Sequence, residues 1–357
     1  MRDELAHGSL RWWRRAAAVL SVLVALMFAA VMGWLPQHSP SVPPVTVGVL
    51  PPWDAERAIA ELDRYADRLG QVAPWWYRPT SSGELGIVGD PAQLDEIVRV
   101  ARHHDRKVVP IVANFGDDWD AELVGTLLAD PRSAAIHVAA LTELVVEQGY
   151  DGIHLDYRQL ASADADRYAE LVHRVAEALA AHDKLLAVSV HPKTHADEPG
   201  WGAGHDYARL GAQVDQLHVL TLDHRGRAPG PLAPIGWVDE VAGYASSVVP
   251  ADRLFLGIGV YGRLWSADGV RTLTLRQVAE HRRTAPGEVG FDPSSASPFL
   301  EDPDERSQLW FEDEASLRRK LVVADRHDVG GVLLWRLGGT VPGVWDVVDD
   351  EFGRIAG

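Results

Sequence analysis

Three consecutive segments alternate between strand and helix patterns: "YDGIHLDY" (residues 150–157), "ADADRYAELVHRVAEALAAHD" (163–183) and "KLLAVSVHP" (184–192). The first and third segments are short and rich in Val, Ile and Leu, which favours buried strands. The middle segment repeats apolar residues at three- and four-residue spacing, which is typical of an amphipathic helix. Two strands joined through a helix form a parallel pair. This unit therefore predicts a parallel sheet covered by helices.

The same alternation continues along the chain from residue 46. Eight apolar segments of this kind can be counted, at about 46–53, 71–77, 107–116, 150–157, 184–192, 215–223, 253–262 and 330–339. Eight such units favour an α/β fold of the closed (β/α)8 TIM barrel type over an open doubly wound sheet. No glycine-rich phosphate loop follows the first strand, which also argues against the open nucleotide-binding alternative. The polar segment 266–313, rich in Pro and Ser, predicts a small insertion after the seventh strand.

The amino terminus carries the pattern of a membrane anchor. Three arginines, Arg11, Arg14 and Arg15, precede an uncharged apolar segment at 16–35. About 20 apolar residues are enough for a helix to cross a bilayer, and flanking arginines stay in the cytoplasm. We therefore expect one N-terminal transmembrane helix and a single-pass cell-membrane protein. Its predicted parts are a cytoplasmic terminus at 1–15, the anchor at 16–35, a Pro-rich linker at 36–45 and an extracytoplasmic barrel at 46–357. A secreted protein with a cleaved signal peptide is the alternative.

Composition narrows the classes of ligand. The chain has 357 residues, a formal net charge of −17 and no cysteine. Binding to nucleic acid depends on clustered Lys and Arg, so the net negative charge of the chain disfavours it. Without cysteine there are no disulfides and no thiolate metal sites. The histidines do not show the paired spacing with a carboxylate that metal sites use, so we expect neither a metal nor another cofactor.

The ends of the predicted strands carry the candidate binding residues. Side chains alternate along a strand, so His154, Asp156 and Arg158 share one face, which we expect to point into the barrel. In such barrels the site is built at the carboxyl ends of the strands. Flat aromatic faces beside carboxylates and amides suit sugar rings and their hydroxyls, so a glycan is the expected ligand. The other large or polar strand-end residues are Trp53, Trp75, Trp76, Tyr77, Asn114, His191, Asp223, Tyr261 and Trp335. Besides His154 and Arg158, the predicted sugar contacts are Trp53, Trp76, Asn114, Tyr261 and Trp335.

One segment carries a family resemblance. "DGIHLDYR" (151–158) resembles the fourth-strand signature of family 18 glycoside hydrolases, Asp-Gly-x-Asp-x-Asp-x-Glu. The resemblance is closest to the bacterial spore-germination type, which acts on peptidoglycan. It implies a TIM barrel with a site for peptidoglycan or a chitin-like oligosaccharide. It extends through "LLAVSVHPKT", "VDQLHVLTLDHRG", "PIGWVDEV", "LFLGIGVYG", "WFEDEASLRRKL" and "GVLLWRLGG".

The signature departs from the family pattern at two positions. In that family the final Glu protonates the leaving oxygen, while the preceding Asp orients the acetamido group of the substrate, which attacks the sugar carbon. Carried over by position, Asp151 and Asp156 match the first and last Asp. His154 replaces the middle Asp, and Arg158 replaces the Glu.

Two further positions follow from the same resemblance. Asp223 matches the Asp of the sixth-strand pattern Met-x-Tyr-Asp, and Leu222 replaces its Tyr. Trp335 matches the tryptophan below the central sugar. The resemblance thus leaves Asp151, Asp156 and Asp223 as residual catalytic residues.

The exchange of Glu for Arg158 predicts a loss of chemistry. A guanidinium does not release its proton near neutrality and so cannot act as the general acid. The expected protein is a glycan-binding barrel with little or no hydrolysis. One alternative is an active glycosidase that uses Asp197, Glu198 or Asp223 as a relocated carboxylate. Another is a scaffold for an envelope protein partner.

Plain structural roles stand beside these functional interpretations. His154 is equally well explained as a core histidine with both nitrogens satisfied. Trp335 suits a purely packing role at the barrel mouth. Asp156 and Arg158 fit a structural ion pair inside the barrel.

Overall fold

The computed structural model of the chain describes residues 44–224, 228–285, 287–302 and 306–353. The predicted anchor at 16–35 and nearly all of the predicted linker lie outside these ranges. Within them, no helix is both long enough and apolar enough to cross a bilayer.

The predicted (β/α)8 barrel is confirmed. Eight parallel strands form a closed ring, because β1 pairs with β2 on one side and with β15 on the other. The ring strands are β1 (Val45–Leu50), β2 (Gln71–Pro79), β5 (Ile111–Ala113, extended by β4, Lys107–Val108), β6 (Gly152–Asp156), β7 (Leu185–Val190), β8 (Gln216–Leu220), β9 (Leu254–Gly259) and β15 (Gly331–Trp335). A short strand, β3 (Leu85–Ile87), pairs antiparallel with β2 outside the ring.

Helices cover the ring, and several of them begin at side-chain caps. The carboxylate of Asp130 accepts from the backbone N–H of Arg132 and Ser133, which satisfies donors at the start of α4. Helix α5 buries one stripe at three- and four-residue spacing, including Tyr168 and Val172. The helices are α1 (Ala55–Tyr65), α2 (Pro91–His103), α3 (Ala121–Ala129), α4 (Pro131–Glu147), α5 (Ala165–Ala180), α6 (Tyr207–Gly211), α7 (Ile235–Val248), α8 (Leu275–Thr284), α9 (Glu314–Arg326) and α10 (Pro342–Phe352).

Two apolar cores lie on opposite sides of the strands. Inside the ring, Val47, Ala73 and Trp75 pack with side chains from the other strands. Between the ring and the helices, a larger cluster includes Trp76. Neighbouring residues of one strand thus belong to different cores, as the alternation of side chains requires.

The insertion after the seventh ring strand is a folded unit. An antiparallel sheet with strand order β11-β10-β14-β13-β12 spans Tyr261–Phe311, so it begins before the predicted boundary at 266. Its core includes Leu264, Val278 and Phe311. Its strands are β10 (Tyr261–Ser266), β11 (Gly269–Thr274), β12 (Val289–Asp292), β13 (Ser297–Asp302) and β14 (Ser307–Phe311). The backbone N–H of Glu312 donates to the carbonyl of Tyr261, and Glu312 pairs with the buried Lys320 of α9, so the end of the insertion is tied to the barrel wall.

Candidate active site

Arg158 and Asp156 form a two-pronged ion pair at the carboxyl end of β6. The Nε of Arg158 donates to Oδ1 of Asp156 at 2.8 Å, and its Nη2 donates to Oδ2 at 2.9 Å. The side chain of Asp156 is only 3% exposed and that of Arg158 12%. Both carboxylate oxygens are thus held by the protein, in the geometry that guanidinium and carboxylate groups prefer. A substrate group that contacts Asp156 would have to share these oxygens with Arg158 or displace it.

Arg158 is fixed from two further directions. Its guanidinium carbon lies 4.1 Å from the ring centroid of Trp119, close enough for a cation–π contact. The side chain of Asn114 clamps its backbone: Oδ1 accepts from the N–H of Arg158 at 2.9 Å, and Nδ2 donates to its carbonyl at 3.1 Å. Nδ2 also donates to the carbonyl of Asp120. The predicted sugar contact Asn114 is fully buried and works as a brace between two loops.

Asp223 is held at the end of the sixth ring strand. Its backbone is left-handed, with φ 59°. The hydroxyl of Tyr261 donates to Oδ1 of Asp223 at 2.5 Å, and Arg263 pairs with the same oxygen. Burial and the neighbouring Asp223 carboxylate raise the pKa of Tyr261 well above its usual value, so its proton stays in place as a donor. The side chain of Asp223 remains 42% exposed.

An aromatic cluster also lies at the mouth of the barrel. The ring centroid of Trp75 lies 5.2 Å from that of Trp53 and 6.4 Å from that of Trp335. The Trp53 and Trp335 centroids are also 6.4 Å apart. Trp335, the residue matched to the family's sugar floor, is thus flanked by two other indoles. Trp53 is the outermost of the three and is 55% exposed.

Two predicted site residues lie elsewhere in the fold. Trp76 faces the helices, is fully buried, and donates from Nε1 to the carbonyl of Asp90. Trp75, one position earlier, faces the mouth instead, and we withdraw Trp76 from the candidate site. Asp151 precedes β6, so it lies at the amino end of the barrel, where its Oδ2 accepts from the N–H of Val108 at 2.8 Å. The carboxyl ends of the strands, where the candidate site lies, are at the opposite end of the barrel from Asp151.

His154 is buried in the barrel interior below Asp156. Its Nε2 and Oγ of Ser189 are hydrogen-bonded at 2.8 Å, and its ring lies 4.6 Å from that of His218. Burial lowers the pKa of His154 to about 4. The side chain has no exposed surface, so in this conformation it reaches no ligand. This burial favours the core-histidine alternative, although Nδ1 has no hydrogen-bond partner among the described residues, so only one of the two nitrogens is satisfied.

A cavity of about 400 Å³ opens beside the Arg158–Asp156 pair. Its wall combines polar and aromatic side chains, among them Arg158, His191, Glu198, Trp201, Asp223 and Trp237. Trp119 also lines this cavity, and its ring centroid lies 6.4 Å from that of Trp75, so the cavity adjoins the aromatic cluster. Sequence reasoning missed Trp201 and Trp237 because they follow the strand ends by many residues. The signal that could have found Trp201 is its place between Gly200 and Gly202.

The three carboxylates considered as relocated acids differ in position. Asp223 and Glu198 line the cavity, whereas Asp197 is exposed and outside its wall. Glu198 is tied to its own loop, because Oε2 accepts from the N–H of Thr194 at 2.5 Å and from its hydroxyl at 2.9 Å.

Comparison with known proteins identifies the family. The family model described as glycosyl hydrolases family 18 matches residues 78–339. The chain belongs to glycosyl hydrolase family 18. A related protein is the cortical fragment-lytic enzyme of Bacillus subtilis. It is 24% identical over 313 residues, which make up 84% of this chain and 71% of that enzyme. The family predicted from the signature is confirmed.

Solved structures share the fold of this family 18 protein. A chitinase from Chromobacterium violaceum superposes with a TM-score of 0.81 at 24% identity, covering 87% of this chain and 99% of that one. The spore cortex-lytic enzyme SleL of Bacillus megaterium gives 0.77 at 22% identity, covering 87% and 74%. At these identities the likeness shows the barrel and leaves the chemistry to the residues of the site.

Proposed function

We propose that this family 18 protein binds an N-acetylated glycan of the cell envelope, either peptidoglycan or a chitin-like oligosaccharide, with little or no hydrolysis. The observation that carries the proposal is the ion pair between Arg158 and Asp156. It occupies the end of β6, where the family signature ends in its acid.

Hydrolysis needs a proton for the leaving sugar oxygen. A well-placed general acid typically contributes about 100- to 10,000-fold, and a guanidinium cannot supply it. The same guanidinium holds both oxygens of Asp156, which the family scheme would use to orient the acetamido group. At Leu222 the tyrosine hydroxyl of the family pattern is also missing.

Glycan binding is supported by the family and by the character of the cavity. Relatives are named for lysis of cortical fragments and as chitinases. The wall of the cavity presents indole faces next to carboxylates, the combination that suits sugar rings and their hydroxyls. The extracytoplasmic, membrane-anchored location is part of this proposal and rests on the apolar segment 16–35 and the arginines before it.

One pair of assays on the full-length protein in mild detergent tests the proposal. Calorimetry measures binding of N-acetylglucosamine oligosaccharides and of soluble peptidoglycan fragments, and chromatography measures release of products from both. We expect binding without product release. Substantial turnover by the unmodified chain would contradict the proposal. Turnover gained only in Arg158→Glu would locate the loss of activity at that single position.

A second candidate is an active glycosidase, favoured by the presence of Asp223 and Glu198 on the cavity wall. Under this alternative the unmodified chain releases products, and Asp223→Asn or Glu198→Gln abolishes the release. Both carboxylates already accept hydrogen bonds from the protein, so either would have to change partners to reach a sugar oxygen.

A further inference from the structure

The loop that follows β7, residues 191–206, forms a large part of the cavity wall. It contributes His191, Glu198 and Trp201, among others. Arg158 lies on the same wall but belongs to the segment that follows β6. The shape of the cavity therefore depends on how these two segments are held against each other.

His205, near the end of this loop, joins the two segments. Its Nε2 lies 2.9 Å from the carbonyl oxygen of Tyr157, the residue between Asp156 and Arg158. The backbone N–H of His191 donates to its Nδ1 at 3.1 Å. The side chain is fully buried. It thus connects the start of the loop to the strand end that carries the ion pair.

These partners fix the protonation of the His205 imidazole. A carbonyl oxygen only accepts a hydrogen bond, so Nε2 carries the proton, and a backbone N–H only donates, so Nδ1 is bare. Burial lowers the pKa of His205 to about 4, so the ring is neutral at physiological pH. Both ring nitrogens are therefore satisfied in a single tautomer, with one donor and one acceptor in fixed directions.

The backbone of His205 is held as well. The ammonium group of Lys193 donates to the carbonyl of His205 at 2.7 Å and to that of Ala196 at 3.3 Å. Only 5% of Lys193 is exposed. One buried side chain thus ties the early part of the loop to its last residues, which limits how far His205 can move.

A glycine allows the close approach of the two segments. A Cβ added at Gly204 would lie 2.5 Å from Cβ of Leu160 and 2.7 Å from its carbonyl oxygen. Leu160 follows Arg158 by two residues. Carbon atoms that are not bonded pack at about 3.5–4.0 Å, so any larger residue at 204 would push the segments apart.

We infer that His205 is a positioning residue, which sets the placement of the cavity loop relative to the Asp156–Arg158 pair. His205 does not line the cavity and acts through its hydrogen bonds to His191 and Tyr157. The expected effect on ligand affinity rests on the proposed glycan binding. The role of the two hydrogen bonds can be tested without a ligand.

Two amide side chains separate the two hydrogen bonds of His205. In His205→Asn the amide oxygen takes the place of Nδ1 and can accept from His191, whereas in His205→Gln the amide nitrogen takes the place of Nε2 and can donate to Tyr157. His205→Leu offers neither group. Hydrogen exchange of the full-length protein is measured at the His191 amide. It should be about 10-fold faster in the Gln and Leu variants and nearly unchanged in the Asn variant.

Oligosaccharide binding measures the consequence for the cavity. Calorimetry with tetra-N-acetylchitotetraose is expected to show about 10-fold weaker binding in His205→Leu and a smaller loss in the two amide variants. Gly204→Ala keeps His205 but separates the segments, so it should weaken binding as well. The matched control is His218→Leu, which also removes a buried imidazole, one that contacts Gln216 at the start of β8. Its affinity should equal that of the unmodified chain.

The outcomes separate the inference from the proposed function. Unchanged exchange at His191 in all three His205 variants overturns the inference. Equal losses of affinity in His205→Leu and His218→Leu also overturn it, because a general loss of stability would then explain both. If His205→Leu does not fold, the contrast between the Asn and Gln variants decides. No binding by the unmodified chain removes the proposed function, whereas faster exchange in the Gln variant but not in the Asn variant would still support the positioning role.

Discussion

The guanidinium of Arg158 grips both oxygens of Asp156, at 2.8 and 2.9 Å, two residues earlier on the same strand face. Arg158 stands at the position of the acid in the family signature. It also binds Asp156, which matches the carboxylate that orients the substrate in the family scheme. The pair also buries two opposite charges together, since the side chain of Asp156 is 3% exposed and that of Arg158 12%. Under the proposed function, the stability of the mouth and the loss of hydrolysis therefore have a common origin.

Removing one member of this pair should destabilise the fold. Arg158→Ala leaves the Asp156 carboxylate buried without its counter-charge, a situation that typically costs about 3–5 kcal/mol. The free energy of unfolding, from urea titration at pH 7, is expected to fall by an amount in this range. The double variant Arg158→Ala, Asp156→Ala removes both charges and should regain a large part of it. A double variant that loses the full sum of the two single losses would show that the pair is not coupled.

Asn114 should act on stability through the two loops that it joins. Asn114→Ala removes three buried hydrogen bonds, two to the backbone of Arg158 and one to that of Asp120. At about 0.5–1.5 kcal/mol for each, the unfolding free energy should fall by about 1.5–4.5 kcal/mol. Thr80→Ala removes hydroxyl contacts at an exposed turn and is the control, with little change expected. Equal unfolding free energies for both variants would contradict a bracing role.

His154 predicts a specific acid sensitivity. Its pKa is about 4 in the folded protein and near 6.5 in the unfolded chain. Above pH 6.5 both states are neutral, so the group has no effect there. Between pH 6.5 and 4 only the unfolded state takes up the proton, which lowers the unfolding free energy by about 1.4 kcal/mol per pH unit, to a total of about 3 kcal/mol.

The control for His154 compares how steeply the unfolding free energy depends on pH, and not the unfolding free energy at a single pH. His154→Gln should flatten the dependence of unfolding free energy on pH across this window, whatever its effect at pH 7. His173→Gln, at a half-exposed position on α5, should leave the slope as it is. An unchanged slope in His154→Gln would mean that this imidazole is not held neutral by burial.

Substitutions at Trp76 and Trp53 should differ in their effect on stability, because the first side chain is buried and the second is exposed. Trp76→Ala opens a cavity in the core between ring and helices and removes the hydrogen bond to Asp90, for an expected loss of about 3–5 kcal/mol. Trp53→Ala removes a side chain that is 55% exposed, with an expected loss below about 1 kcal/mol. Thermal unfolding of both variants provides the comparison, and similar melting temperatures would contradict the assignment of Trp76 to the core.

The local pattern of apolar residues was enough to predict the barrel, because the spacing of these residues identifies each strand and each helix. It was also enough to find the exchange at Arg158, since a signature is read position by position. The pattern was not enough for the pair of indoles at Trp75 and Trp76. Neighbouring residues of a strand face opposite sides, and only pairing with the adjacent strands decides which one points inward. The pairing of β2 with β5 also shifts register between Trp75 and Tyr77, and the local sequence pattern does not predict this shift.

The order of strands and helices, the family signature and the replacement of its acid by a guanidinium can all be read from the amino-acid sequence. The folded chain was needed to show that Asn114 braces a loop, that Asp151 lies at the far end of the barrel, and where the open cavity lies. These features depend on contacts between segments tens of residues apart, such as the one between Tyr261 and Asp223. The spacing of apolar residues fixes the local conformation of each segment, whereas the directions of side chains at the mouth are set when the ring closes and distant loops come into contact.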